Sequence, residues 1–186
     1  MSLQTTSSQT VGPFFHIGLT WLFTDNLVAA GVAGDPVVLE GAITDGDGQP
    51  VIDAVVEIWQ ANSHGRYAHP EDTGTAPLEN AWTGFGRIAT DENGRFRFTT
   101  VKPGRVAAPG GGLQAPHINV TIFMRGMLRQ LVTRIYFPAD PANDEDPVLQ
   151  SVPESRRATL VANADANALT WNVRLQGEGE TVFFEY

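Results

Sequence analysis

From residue 37 onward, apolar and polar positions alternate in short runs with the period of a strand, and each run stops at a cluster of turn residues. Residues 37–44 form the first run and end at Asp45-Gly46-Asp47-Gly48. That motif has no glutamate at the spacing of a calcium loop, so it reads as a hairpin turn. A second run covers residues 51–59. An irregular stretch over residues 60–83 follows, rich in Gly, Pro, His and Asn. A loop of that length inside a compact domain is a mark of function or of an interface. Runs over 85–90 and 95–101 flank Asp91-Glu92-Asn93-Gly94, whose Asn-Gly pair predicts a tight hairpin. Within the second of these, Phe96 and Phe98 share one face while Arg95 and Arg97 share the other. Residues 103–116, rich in Pro and Gly, predict another loop before strands at 117–124 and 131–137. Ser151-Val152-Pro153-Glu154 running into 156–163 predicts a short helix, with Ser151 or Val152 near its cap and Pro153 in its first turn. A last hairpin is expected from residues 169–176 and 181–186, joined through Gly177-Glu178-Gly179-Glu180.

About eight strands, turns at short intervals and one short helix predict a mainly β fold, an antiparallel β-sandwich with long loops. Residues 31–186 are expected to form a single sandwich domain. Residues 1–30 break the pattern: Gly12, Pro13 and Gly18 interrupt Phe14, Phe15, Ile17, Leu19, Trp21, Leu22 and Phe23, which fit neither period. Aromatic residues at that density need a cover, either the chain's own sandwich or another subunit.

Composition narrows the function classes. The 186 residues are 42% hydrophobic and 18% charged, which suits one globular domain with a full core. No apolar run approaches the length of a membrane span, and the first ten residues lack the features of a secretory signal. The absence of cysteine excludes disulfides and thiolate chemistry, and these features together favour the cytoplasm. A formal net charge of −9 argues against nucleic acid as a partner. Among the 12 basic residues only Lys102 is a lysine; arginines suit the recognition of planar carboxylates.

The richest segment chemically is Ala115-Pro116-His117-Ile118-Asn119. On a strand His117 and Asn119 point the same way, so a His-x-His there would aim two imidazoles at one metal ion. Asn119 supplies only a weak neutral oxygen. Several motifs surround this half-site in order: Glu57-Ile58-Trp59-Gln60-Ala61-Asn62, Gly65-Arg66-Tyr67, Thr100-Val101-Lys102-Pro103-Gly104, Ala115-Pro116-His117-Ile118 and Arg134-Ile135-Tyr136-Phe137. With the opening Ser8-Gln9-Thr10-Val11-Gly12-Pro13-Phe14-Phe15-His16 and the closing Gln176-Gly177-Glu178-Gly179-Glu180, they resemble the intradiol ring-cleaving dioxygenases over nearly the whole chain.

The resemblance implies a transthyretin-like sandwich. It also implies, in catalytic chains, a ferric ion held by two tyrosines and two histidines. Hard phenolates suit Fe(III), whose charge removes the phenol proton. Carried onto this chain, the first tyrosine is Tyr67, the first histidine is His117 and the second histidine position holds Asn119. The second tyrosine belongs after Lys102-Pro103-Gly104, but residues 105–116 contain none. Tyr67, His117 and Asn119 are therefore read as vestigial ligand positions with structural roles, His64 and His69 as loop residues, and no iron is expected in this chain. The resemblance is strongest to the non-iron alpha subunits of heteromeric members. Their beta chain holds the Fe(III), and their substrates, protocatechuate and O2, give 3-carboxy-cis,cis-muconate in bacterial aromatic catabolism. It further implies that the arm of residues 1–30 packs on the partner, and that Arg125 meets the substrate carboxylate in the partner's pocket. Phe14 stands where such chains often carry a tyrosine, leaving apolar contact there; His16 is read as packing. Arg129 is a near neighbour of Arg125, and Arg134 is expected to form a structural ion pair. The competing readings are a self-sufficient dioxygenase with atypical ligands and a non-enzymatic binding module.

Overall fold

The computed structural model describes residues 4–165 and 168–185. Two sheets lie face to face. In chain order the strands are β1 (Pro36–Thr44), β2 (Val55–Trp59), β3 (Phe85–Ala89), β4 (Arg95–Val101), β5 (Val106–Ala107) and β6 (Leu113–Gln114). They continue with β7 (His117–Phe123), β8 (Leu131–Tyr136), β9 (Asn163–Asp165), β10 (Ala168–Thr170) and β11 (Val173–Arg174). The first sheet runs β3-β2-β7-β8, antiparallel throughout. The second is built on β1, which pairs antiparallel with β4 on one side and parallel with β10 and β11 on the other. The mainly β sandwich read from the sequence is the one observed, with parallel pairing added by its C-terminal strands. No helix among the described residues is long and apolar enough to cross a membrane.

Alternation builds the core. Leu39 and Ile43 of β1, Phe96 and Phe98 of β4, Ile58 of β2 and Ile118, Val120 and Ile122 of β7 all turn inward and are buried. Arg95 and Arg97 point to solvent, as their alternation predicts. Gly41 marks a close backbone approach: a Cβ there would lie 1.8 Å from the carbonyl oxygen of Trp171, so no larger residue fits beside β10. The Asn-Gly hairpin forms with Gly94 at φ +69°, and Asp91 Oδ1 accepts from Asn93 N and Arg95 N at 2.8 Å each. The turn at Asp45 is built the same way, its Oδ1 accepting from Asp47 N and Gln49 N.

Three expectations need correction. The helix predicted over 151–163 starts where expected but is broken: α3 covers Glu154–Arg157 directly after Pro153, a 3-10 turn ends at Leu160, and a separate α2 (Pro147–Ser151) precedes them, with α1 (Pro13–Gly18) in the arm. The start signal of α2 is Asp146, buried, whose Oδ1 accepts from Val148 N and Leu149 N and caps the helix. The end comes early because Val161 bridges to Tyr136 and Ala162 N donates to Tyr136 O, which pulls the chain out to the sheet. The loop over 103–116 contains the small hairpin β5–β6. The last hairpin is split. Trp171 enters the core between β10 and β11, Thr181 N donates to Arg174 O, and Phe184 crosses to pair with Val132 of the other sheet. Tyr186, the predicted end of that hairpin, lies outside the described residues.

The arm divides into two parts. Thr24 pairs with Arg87 on the edge of β3, and Leu27 N donates to Thr99 O on the edge of β4, so residues 24–27 join the open sides of the two sheets. Ahead of them, Phe14, Ile17 and Trp21 are exposed.

Candidate functional site

The outer face of the first sheet gathers Tyr67, His117 and Asn119. Because Ile118, Val120 and Ile122 face the core, His117 and Asn119 must face outward. Asn119 is in register with Trp59 of β2 and Arg134 of β8, and His117 is in register with Tyr136. Tyr67 arrives from the long loop, which Asn62 organises: its side chain accepts from His64 N and Arg66 N and donates to Pro77 O and Glu79 Oε2. Asp72 Oδ2 accepts from Tyr67 N at 2.7 Å, and the Tyr67 ring stacks on Trp59 with centroids 5.9 Å apart and planes 9° from parallel. Asn119 Nδ2 donates to Tyr67 Oη at 3.3 Å and to Trp59 O at 3.2 Å.

Tyr67 and Asn119 are thus in contact, with His117 one alternation further along the same face. His69 sits edge-on to Trp59, and His64 turns away toward Glu79 at 3.6 Å. Beside Tyr67 a cavity of about 760 Å³ opens between residues 65–74 and β5.

Electrostatics around His117 oppose a cation. Burial, and after it the neighbouring Arg134 guanidinium, lower its pKa from 6.5 to about 4; the carbonyl of Ala115 and the charge of Asp146 act weakly the other way. His117 Nδ1 lies 2.8 Å from Ala115 O. Arg134 was expected in an ion pair, but its Nη1 donates to Gln114 Oε1 at 2.7 Å. The nearby carboxylate is already engaged, since Asp146 accepts from Tyr136 Oη at 2.9 Å, from Ala115 N at 2.7 Å and from the first turn of α2. Burial and the Asp146 charge push the Tyr136 phenol well above its usual range, so it stays a donor. Sequence reasoning missed this Tyr136–Asp146 pair; the signal was Asp146-Pro147, a cap residue followed by proline.

A ferric ion does not fit these residues. Two oxygen or nitrogen donors of the implied set are present, Tyr67 and His117. The third position presents an amide N–H to the tyrosine oxygen, and a guanidinium stands beside the histidine. Among the described residues no group of three or more His, Cys, Asp or Glu is placed to hold a metal.

Arg125 and Phe14 lie elsewhere. Arg125 follows the far end of β7, six residues beyond Asn119 or about 20 Å along the strand direction, in a turn with Gly126. Its Nε forms an ion pair with Asp53 Oδ2 at 2.6 Å, with 68% of the side chain exposed. The arm reaches the same end of the molecule: Thr10 Oγ1 accepts from Gly126 N at 2.7 Å, and Phe15 packs on Phe123 with centroids 5.2 Å apart. Phe14, next to it, is 82% exposed. Arg129 lines a shallow groove there with Val11, Met124 and Leu128. The packing expected of His16 lies outside the described side chains. The structure therefore brings Tyr67, His117 and Asn119 to one place and Arg125 and the arm to another.

Comparison with known proteins agrees with this architecture. The family model Dioxygenase_C, described as a dioxygenase, matches residues 23–177. The protocatechuate 3,4-dioxygenase alpha chain of Burkholderia cepacia is 43% identical over 99% of this chain and 98% of its own. The chain belongs to the intradiol ring-cleaving dioxygenase family. The beta chain of the same Burkholderia cepacia enzyme is 39% identical over 83% of this chain and 65% of its own. In fold, the dioxygenase domain of a dioxygenase–carbohydrate-binding fusion from Streptomyces sp. SirexAA-E superposes with a TM-score of 0.62, at 24% identity, over 86% of this chain and 89% of that one.

Proposed function

We propose that this chain is the alpha subunit of a heteromeric protocatechuate 3,4-dioxygenase, and that an iron-bearing beta chain performs the cleavage. The reaction opens the bond between the two hydroxylated ring carbons of protocatechuate with O2, giving 3-carboxy-cis,cis-muconate. The observation that carries this reading is the donor deficit around Tyr67, His117, Asn119 and Arg134, in a chain whose full length resembles alpha chains. Both subunit types of the Burkholderia cepacia enzyme resemble this chain, which supports an alpha–beta assembly built from related sandwiches. In a bacterial cytoplasm such an assembly has no need of disulfides, in keeping with the absence of cysteine.

The chain's own contribution is binding. Arg125 projects from the turn after β7 into solvent, and its guanidinium suits the carboxylate that distinguishes protocatechuate from catechol. Phe14, Ile17 and Trp21 of the arm are exposed apolar side chains, and burial against the beta chain is the reading that accounts for their exposure. Phe14 supplies apolar contact only, at the rim of the partner's pocket. The test is to purify the chain alone and co-expressed with the beta chain encoded beside it. Ring cleavage by the co-purified complex and none by the lone chain is the expected result. Ring cleavage by the lone chain overturns the assignment.

A further inference from the structure

An arginine that recognises a carboxylate from an exposed turn must be held, because its stem has many rotamers and ordering them on binding weakens affinity. The surroundings of Arg125 supply such a hold from two other parts of the chain. Asp53, in the turn that precedes β2, meets the guanidinium at Nε, 2.6 Å away. That is the edge nearest the stem. The two Nη atoms lie at the end of the fork away from the stem, and with 68% of the side chain exposed they are open to a planar, two-oxygen ligand. The turn itself is braced from the arm, where Thr10 Oγ1 accepts from Gly126 N at 2.7 Å with Gly126 at φ +85°.

We infer that Asp53 is a positioning residue for carboxylate recognition by this subunit: it fixes the Nε edge of Arg125 so that the two Nη atoms face the ring carboxylate of the substrate. The inference rests on the proposed role of Arg125 and deepens it. Asp53 touches no substrate and acts only through the arginine. Its side chain is 28% exposed and Arg125 is more so, hence the effect of removing it is moderate.

The experiment uses the assembled alpha–beta enzyme with three variants of this chain, Arg125→Ala, Asp53→Asn and Asp53→Glu. Each is assayed with protocatechuate and with catechol, which lacks the carboxylate. Asp53→Asn is expected to raise KM for protocatechuate about 3- to 5-fold, the range of an exposed ion pair, with little movement in kcat or in KM for catechol. Asp53→Glu, which keeps the charge, should recover much of the loss, and Arg125→Ala should show the larger increase. A raised KM in Arg125→Ala with an unchanged KM in Asp53→Asn overturns the role of Asp53 and leaves the proposed function standing. An unchanged KM in Arg125→Ala overturns the carboxylate contact itself, and the inference with it. Equal losses on both substrates in Asp53→Asn would mark a folding role for that turn and also overturn the inference.

Discussion

At the scale of single residues, the proposed lack of iron binding turns on Asn119 and Arg134. The first could be read from the sequence, because strand alternation puts position 119 beside His117. The second could not, since the register that sets Arg134 opposite Asn119 is a property of two strands paired in space. Asn119→His restores one implied ligand, yet the guanidinium and the missing second tyrosine remain. That variant is expected to stay iron-free by metal analysis and to show no tyrosinate-to-iron absorption; stoichiometric iron in it would mean that one residue accounts for the whole deficit. His117 makes a second prediction. Burial and Arg134 hold its folded pKa near 4 against 6.5 in a free imidazole. Between those values the unfolded chain binds a proton that the folded chain does not, so stability falls as pH is lowered from about 6.5 toward about 4. The contribution is up to about 3 kcal/mol, fully present above pH 6.5. Urea unfolding at a series of pH values should show this slope, and His117→Gln should flatten it.

Elements whose signal is local were legible in advance. In β4, Phe96 and Phe98 alternate with Arg95 and Arg97, and the Asn93-Gly94 turn fixes its start, so its bounds match expectation. β7 needed only the alternation from His117 to Phe123. The extra helix α2 was missed because its cap, Asp146, draws its strength from a tertiary bond to Tyr136 in another strand. Asp146→Ala removes a cap and leaves the Tyr136 hydroxyl and Ala115 N–H buried without their acceptor. A loss of about 2–4 kcal/mol in chemical denaturation is expected, with the greatest gain in hydrogen exchange over residues 141–160. The split of the last hairpin was equally hidden, since Trp171 leaves the ladder to fill space between sheets that the linear pattern does not describe.

For the whole molecule, sequence motifs carried the family and the sandwich, while the separation of these residues between its two ends emerged only from the fold. One end holds Tyr67, His117 and Asn119; the other holds Arg125, with Thr10 and Phe15 of the arm packed beside its turn. Removing residues 1–22 spares the pairings of residues 24–27 with β3 and β4. Such a truncation should leave the chain folded by circular dichroism while abolishing co-purification with the beta chain; retained co-purification would place the interface elsewhere. The measurement that bears most directly on the central claim is iron content and protocatechuate turnover of this chain purified alone, beside the same chain co-purified with its beta partner. The account predicts a colourless, iron-free and inactive lone chain and an iron-containing, active complex. A lone chain that carries one ferric ion and cleaves the ring would contradict it.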